Sequence, residues 1–501
     1  IQSASDPDKD IGIPQVMYLR NVLPTDRGYK SVGGLESSTV TGFSGFASIH
    51  SVGMIGGEPS NLVIQYGYIC AVNSRTTGAY AIAATLTNTT TRSLIAHELN
   101  GNIYSMMYGS EPGNGDKYYK TPSPVNYFNV SPPAVAKVFP LASISGTTFI
   151  SQLCVVGNRL VIVAHKPGTG EQVIAWSAAT DPDDFDFSRG AITGAGFITP
   201  QHLKSFIIKI VPHVLGAIIY TKTECVAMVF QMGDAINPFS FRPIGGVVPG
   251  ESFNVLGDYK SPYHYLISKD KCIKIAFNGA EPAFPVLDSL LRERKFVTAN
   301  SSMGLTQHAH DTSLPPTINK VCDRYLVVCF TSAAKNVVMC CVYDELLKRW
   351  GEIEILNDNL GSEKIYSAIA MPALTDDQFE IRCYTQLGTT YNIRRFRVYF
   401  SKITTPLQDG INSLAIFGKY QHVRGHVLSI QQIEMENITG TPTVKVISTL
   451  DGKHPKNIYE PFVADSGNVC HRLGEQVGLN HMISIEGNFD LNTIQLTFND
   501  E

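Results

Sequence analysis

From about residue 60 to residue 400 the chain is a succession of apolar runs of four to eight residues, rich in Val, Ile, Tyr and Phe, each ended by a turn cluster. Runs of that length match strands and are too short for amphipathic helices of ordinary size. Asn61–Tyr68 is followed by Cys70–Val72, Leu160–Ala164 by Val173–Trp176, Val214–Thr221 by Cys225–Phe230, and Tyr265–Ser268 by Cys272–Phe277. Helical periodicity is scarce. Its best instance is Asp288–Lys295, DSLLRERK, where Asp288 is placed to cap about two turns. The chain therefore reads as all-β.

Two of these strand groups resemble each other in more than periodicity. Asn158-Arg159 leads into Leu160–Val163, a turn at Pro167–Gly170 and a returning strand Val173–Ser177. Asp323-Arg324 leads into Tyr325–Val328, a turn at Ser332–Lys335 and a returning strand Val337–Tyr343, ending in Asp344 and Trp350. The pattern recurs after about 165 residues, which holds three or four units of 40 to 50 residues, the length of a β-propeller blade. The V-Y-D…R-W ending also resembles kelch-type blades, in which an aromatic packs between neighbours. A propeller of about six or seven blades suits many short strands with few helices.

After Phe400 the texture changes. Val427–Met435, Thr443–Ser448, Met482–Ile485 and Thr493–Phe498 alternate polar and apolar, most clearly at Ile494, Leu496 and Phe498. Strands with one wet face predict a separate C-terminal β-sandwich. The expected organisation is an N-terminal arm over 1–45, a propeller over 46–400 with an insertion around 100–140, a linker at Ser401–Gly410, and the sandwich over 401–501.

Composition excludes several classes. The 501 residues hold 40 Lys plus Arg against 44 Asp plus Glu, a net charge of −4 that gives no overall basic footprint for gripping nucleic acid. At 17% charged and 44% hydrophobic, the chain is a poor candidate for disorder. The most apolar stretch, Phe206–Tyr220, is interrupted by Lys209, Pro212 and His213, so no membrane span is expected. The opening IQSASDPDKD lacks the basic start and apolar middle of a signal peptide, and the natural N-terminus is expected to be missing or processed. The ten cysteines form no C-x-x-C pair and sit mostly in strand-like runs, which predicts reduced thiols packed as small hydrophobes.

Catalytic, cofactor-binding and metal motifs are not found, and none is predicted. There is no G-x-x-x-x-G-K-[ST], H-E-x-x-H or G-x-S-x-G. Asp181-Pro182-Asp183-Asp184-Phe185-Asp186 resembles a calcium loop, but Phe185 falls on a ligand position and the bidentate Glu is misplaced, so it reads as a solvated turn. Gly168-Thr169-Gly170 and Gly194-Ala195-Gly196 are glycine turns without the helix N-terminus a phosphate needs. His308 and His310 lie about 7 Å apart on one side of an extended segment, next to Asp311, and would need further ligands. His422 and His426, about 13 Å apart on a strand, cannot share one ion. Ser448–Gly452, STLDG, resembles the Asp-box of sialidase propellers without its glycine and tryptophan spacing.

Several of these passages together resemble one family. Asn158–Val163, then Val173-Ile174-Ala175-Trp176-Ser177, then Asp181–Phe185 are similar to a passage in which a strand leads to "wS…dp.df". Ala217–Tyr220 with Glu224-Cys225-Val226 matches the strand and acidic turn that come next. Gly245–Gly250 before Tyr263–Asp270 resembles "GvvG…yfls.dg", and Arg20–Pro24 with Gly28 resembles an "rN…p…G" opening. The family is the tail nozzle of short-tailed bacteriophages (podoviruses), also called tail tubular protein B or head-to-tail stabilisation protein. The likeness spans roughly residues 14–300 with gaps; Pro249 interrupts the glycine turn and residues 100–139 have no counterpart.

The resemblance implies a non-enzymatic virion protein forming a homo-oligomeric ring, usually a hexamer, below the portal and adaptor rings. The ring would extend the conduit for double-stranded DNA, retain and then pass the genome, and anchor fibres or spikes, after assembly in the host cytoplasm. Passing DNA without holding it calls for a neutral to acidic lumen; a steep salt dependence of DNA binding would instead point to Arg292, Arg294 and Lys295, or Arg394, Arg395 and Arg397, as DNA-facing. The alternatives are a carbohydrate-binding or glycoside-hydrolase propeller, which would need an acidic pair in a polar pocket, and a fibre or baseplate scaffold unrelated to the nozzle.

Overall fold

The computed structural model describes most of residues 15–500; the longer stretches it leaves out are 74–79, 86–92, 109–116, 123–134, 357–362, 400–413 and 421–427, and within 33–94 it describes the backbone of the strands but not side chains. The chain is nearly all β, and the strand pairings of its many small sheets are antiparallel.

Seven four-stranded arrangements follow one another along the chain. The first is formed by Ser48–Ile55, Glu58–Gln65, Tyr68–Asn73 and Tyr80–Thr85. The second runs from Ser93–Leu99 through Asn102–Tyr108 and Lys117–Pro122 to Val135–Val138. The third is Phe149–Val156, Arg159–Lys166, Glu171–Trp176 and Gly196–Ile198. The fourth is Ile207–His213, Gly216–Thr221, Cys225–Phe230 and Phe239–Ile244. The fifth is Phe253–Leu256, His264–Ser268, Cys272–Ala276 and Gly279–Pro282. The sixth is Thr317–Val321, Tyr325–Thr331, Val337–Asp344 and Arg349–Leu356. In the seventh, Lys364–Pro372, Gln378–Leu387 and Thr390–Tyr399 are joined on the outside by Leu35–Phe43 from the start of the chain.

The first strands of most successive sheets lie against one another, and that of the seventh returns to that of the first, so the circuit closes. Between the fourth and fifth sheets the contact is carried by Ile218, Tyr220 and Cys225 against Phe253, Leu266 and Ile275. The third to sixth sheets each pack a neighbour on both faces, and the sequence pattern follows from this. In Arg159–Lys166, Leu160, Ile162 and Ala164 face the second sheet's cluster while Val161 and Val163 face the fourth's. Leu326, Val328 and Phe330 likewise face the fifth sheet, and Val327 and Cys329 the seventh. A strand buried on both faces reads as an unbroken apolar run.

The two repeats occupy equivalent places in the third and sixth sheets. Arg159 donates from Nη1 to Ser177 O at 2.7 Å and Gly194 O at 2.8 Å, and Arg324 pairs with Asp344 at 2.6 Å, so each arginine reaches the end of its own sheet's third strand. Trp350 meets Phe284 edge-on at 5.1 Å, an aromatic between neighbouring sheets.

Residues after 413 form two further sheets. One contains Leu414–Tyr420, Asn480–Glu486, Thr443–Thr449 and Pro455–Ile458; the other joins Leu428–Gly440 to Gly467–Gly478 and Thr493–Asp500. They share one core, in which Ala415, Val444, Val446, Ile483 and Ile485 of the first meet Ile430, Ile433, Met435 and Leu473 of the second. Ile494, Leu496 and Phe498 stand in register with Met435, Ile433 and Ile430.

Of the expected N-terminal arm, the described strands pair with the rest of the chain, and residues 1–14 lie outside the described residues. Gln15–Arg20 adds to the Leu414–Tyr420 strand. Val22–Pro24 and Tyr29–Ser31 form a hairpin that pairs on one side with Arg349–Leu356 and on the other with Phe489–Leu491, which itself pairs with Leu428–Gly440. One continuous ten-stranded sheet therefore links the sixth sheet to the C-terminal pair. The turn into the hairpin is Asn21, left-handed at φ 54°, whose Oδ1 accepts the Glu354 N–H at 3.0 Å. Strands of residues 100–140 build most of the second sheet, where an insertion was expected. The anticipated linker at 401–410 lies outside the described residues.

The helix starts earlier than its sequence suggests, spanning Pro285–Glu293. Proline suits a first helical turn, and Asp288 is not the cap: its Oδ1 accepts the Cys272 N–H at 2.7 Å, tying the helix to the fifth sheet. Nine cysteines are free thiols, seven of them buried, and the side chain of Cys70 is outside the described residues. Burial pushes Cys225 and Cys272 up to about 12, which keeps them protonated and inert. Among the described residues no helix is long and apolar enough to cross a membrane.

Candidate functional site

The acidic turn Asp181–Asp186 binds protein groups. Asp183 accepts from Lys120 Nζ at 2.7 Å and lies 3.4 Å from Lys137 Nζ, with Tyr118 Oη at 3.3 Å, so it latches the third sheet to the second. Asp186 caps a short 3-10 turn through Ser188 N and pairs with Arg189 Nε at 2.8 Å; Asp184 reaches Arg189 Nη2 at 3.4 Å. Phe185 is buried against Phe139 at 5.0 Å. Each of these three carboxylates already has a cation, and no metal-holding cluster of three His, Cys, Asp or Glu occurs among the described residues.

The histidines separate into structural roles. His310 is buried edge-on to Phe330 at 5.5 Å, and His308 stacks on Phe296 at 5.4 Å. His422 and His426 lie outside the described residues. In the STLDG segment Ser448 is buried and hydrogen-bonds to His481 Nδ1 at 2.8 Å; Asp451 and Gly452 lie outside the described residues.

The arginines of the seventh sheet face protein, on both of its sides. On one, Arg394 pairs with buried Glu363, which also accepts from Thr385 and Asn392. Burial works to raise Glu363, and Arg394, Thr385 and Asn392 outweigh it, leaving the carboxyl below its ordinary range. On the other, Glu380 accepts from Arg382 Nη2 at 2.9 Å and Arg397 Nε at 3.2 Å, while Arg382 and Arg395 are buried to 0% and 1% exposure. Arg292 and Lys295 are exposed on the helix and the strand after it, and Arg294 lies outside the described residues.

Sequence reasoning missed a collar of polar groups on the inner strands. Lys209 Nζ reaches Phe253 O at 3.4 Å. Asn254 Nδ2 donates to Pro316 O at 2.9 Å, Thr317 Oγ1 to Ala368 O at 2.6 Å and Asn319 Nδ2 to Ala370 O at 2.7 Å. These bonds tie the first strands of the fourth to seventh sheets in series. Burial pushes the Lys209 amine down to about 8. Isolated Lys, Asn and Thr inside short strands carry no motif, so only three-dimensional placement reveals them.

Also missed was a buried histidine between the fourth and fifth sheets. His264 bonds Tyr220 Oη at 2.7 Å through Nδ1 and Pro212 O at 2.8 Å through Nε2. Burial first, then His213, pushes it down to about 3. A histidine held below its unfolded value of about 6.5 destabilises the fold as pH falls from there toward the folded value. Native stability should therefore drop by roughly 2 to 3 kcal/mol between pH 6 and pH 4 from His264 alone. Urea midpoints across that range check it, and His264→Asn should flatten the slope.

No family model matches the chain, and no curated protein matches it. Among solved structures, the core factor of S. cerevisiae is 8% identical at a TM-score of 0.38, over 75% of this chain and 63% of that one. A dihydro-heme d1 dehydrogenase is 11% identical at 0.35, over 90% and 78%. A quinonprotein alcohol dehydrogenase-like protein from Bacteroides thetaiotaomicron is 11% identical at 0.33, over 63% and 67%. At these scores the likeness assigns neither an activity nor a ligand.

Proposed function

We propose that the chain is a seven-bladed β-propeller fused to a C-terminal β-sandwich, and that it serves as the ring subunit of a short-tailed phage nozzle. The passages similar to that family fall on structural positions: Asn158–Ser177 is the centre of the third sheet, and Ala217–Tyr220 with Cys225-Val226 is the centre of the fourth. The observation that carries the reading is the ten-stranded sheet, in which the Val22–Ser31 hairpin joins the ring of sheets to the C-terminal pair through hydrogen-bonded strands. A conduit subunit must transmit force between the neighbours above and below it, and a continuous ladder does so where a flexible linker would not. Pairing of Arg394 and Arg397, and burial of Arg395, within the seventh sheet agree with a lumen that does not grip DNA.

In this reading the partners are further copies of the chain, the portal and adaptor rings, fibres or spikes, and duplex DNA in transit. No catalytic step is assigned to the chain. Imaging of the assembled particle tests the reading: a hollow ring at the end of a short tail supports it, and a solid fibre contradicts it.

A further inference from the structure

The junction between the sixth sheet and the N-terminal hairpin contains two acidic residues on one face of a strand. Glu352 and Glu354 lie two apart in Arg349–Leu356, so their side chains point the same way. Val22 pairs with the sheet at Glu352 itself. Glu352 Oε1 is buried and has no hydrogen-bond partner, and Glu354 is 3% exposed. Gly351, next to them, meets the hairpin so closely that a Cβ there would stand 2.6 Å from Val22 O. Glu352 as a whole is half-buried.

We infer that the Glu352–Glu354 pair makes this junction pH-sensitive, holding the hairpin against the sixth sheet while Glu352 carries a proton and loosening it when both carboxyls ionise. Among the charged groups near this strand is Arg20, at the end of Gln15–Arg20, which lies against it. Arg349 donates to Thr25 O, Arg324 is taken by Asp344, and Lys30 sits opposite Asp490 in the neighbouring strand pair. Across the sheet Glu352 faces Cys341, a buried thiol that stays neutral; the hairpin's Tyr29 phenol is raised by burial and is also neutral. Burial first, then Glu354, raises Glu352 well above the ordinary carboxylate range. A group raised on folding adds stability below its unfolded value and loses it as pH climbs through the folded one, so the junction weakens toward alkaline pH. This inference concerns one chain and is independent of the ring reading.

Hydrogen exchange of the backbone amides of residues 20–32 in the full chain, corrected for intrinsic rates at pH 6 and pH 9, tests it. Protection in the wild type should fall at least tenfold, the equivalent of about one pH unit of linkage, whereas Glu352→Gln should hold within about twofold. The infrared band of a protonated carboxyl should be present in the wild type at pH 6 and reduced in Glu352→Gln. Should Glu352→Gln fail to fold, Glu352→Met replaces it. Equal wild-type protection at both pH values, or an equal fall in the variant, overturns the inference, as does the lack of a protonated carboxyl.

Discussion

Replacing Ser37 and Ser38 together by proline should lower unfolding stability by about 3 kcal/mol or more. These residues pair with Phe396 and Arg395 in the ladder that Leu35–Phe43 makes with Thr390–Tyr399. Neighbouring strand residues point their N–H groups to opposite sides, so two adjacent prolines remove at least one ladder donor whichever way the strand lies. The consequence exceeds one hydrogen bond, because this strand closes the circuit of sheets with the start of the chain. Without it the seventh sheet presents a bare edge, and Arg395, now 1% exposed, loses part of its enclosure. Limited proteolysis should then cut within 378–399 before it cuts the C-terminal pair of sheets. An unchanged urea midpoint would mean that the strand contributes nothing to closure.

Replacing Glu380 by glutamine should cost about 3 to 5 kcal/mol, the usual penalty for leaving a buried charge without its partner. Arg382 is fully buried and gives Glu380 two hydrogen bonds, from Nε at 3.1 Å and Nη2 at 2.9 Å, while its Nη1 has no partner. Arg397 adds a third bond to the same carboxylate. The double substitution Glu380→Leu with Arg382→Met should recover much of the loss, since an apolar pair of similar volume avoids both desolvation costs. Thermal or urea unfolding of the wild type and the two variants gives the comparison. A double variant as unstable as Glu380→Gln would show that Arg397 or Arg395 depends on the carboxylate more than Arg382 does.

The strands of the ring were legible because sheets that pack on both faces demand continuous apolar runs, and Leu160–Ala164, Val173–Trp176 and Cys225–Phe230 are such runs. The two-repeat pattern was legible for a similar reason: Arg159 and Arg324 each perform the same local task at the end of a third strand. The alternation at Ile494, Leu496 and Phe498 pointed to a second kind of sheet, with only one face against a core. What stayed hidden was pairing at long range. Leu35–Phe43 is LESSTVTGF, too polar to read as the closing strand of a sheet that begins beyond residue 360, and nothing local couples Val22 to Glu352. The candidate sites were hidden by the same cause. Asp181–Asp186 looks like a chelating loop until Lys120, Lys137 and Arg189 are placed beside it, and Arg394–Arg397 looks like a basic patch until Glu363 and Glu380 are.

The most direct test of the ring reading is electron microscopy of the particle in which this chain occurs, with an antibody raised against residues 428–500 marking its position. Label is expected at the far end of a short tail and, on averaging, a hollow ring of six copies whose lumen continues the portal axis. Virions without label, or label on solid fibres with no ring, would contradict it.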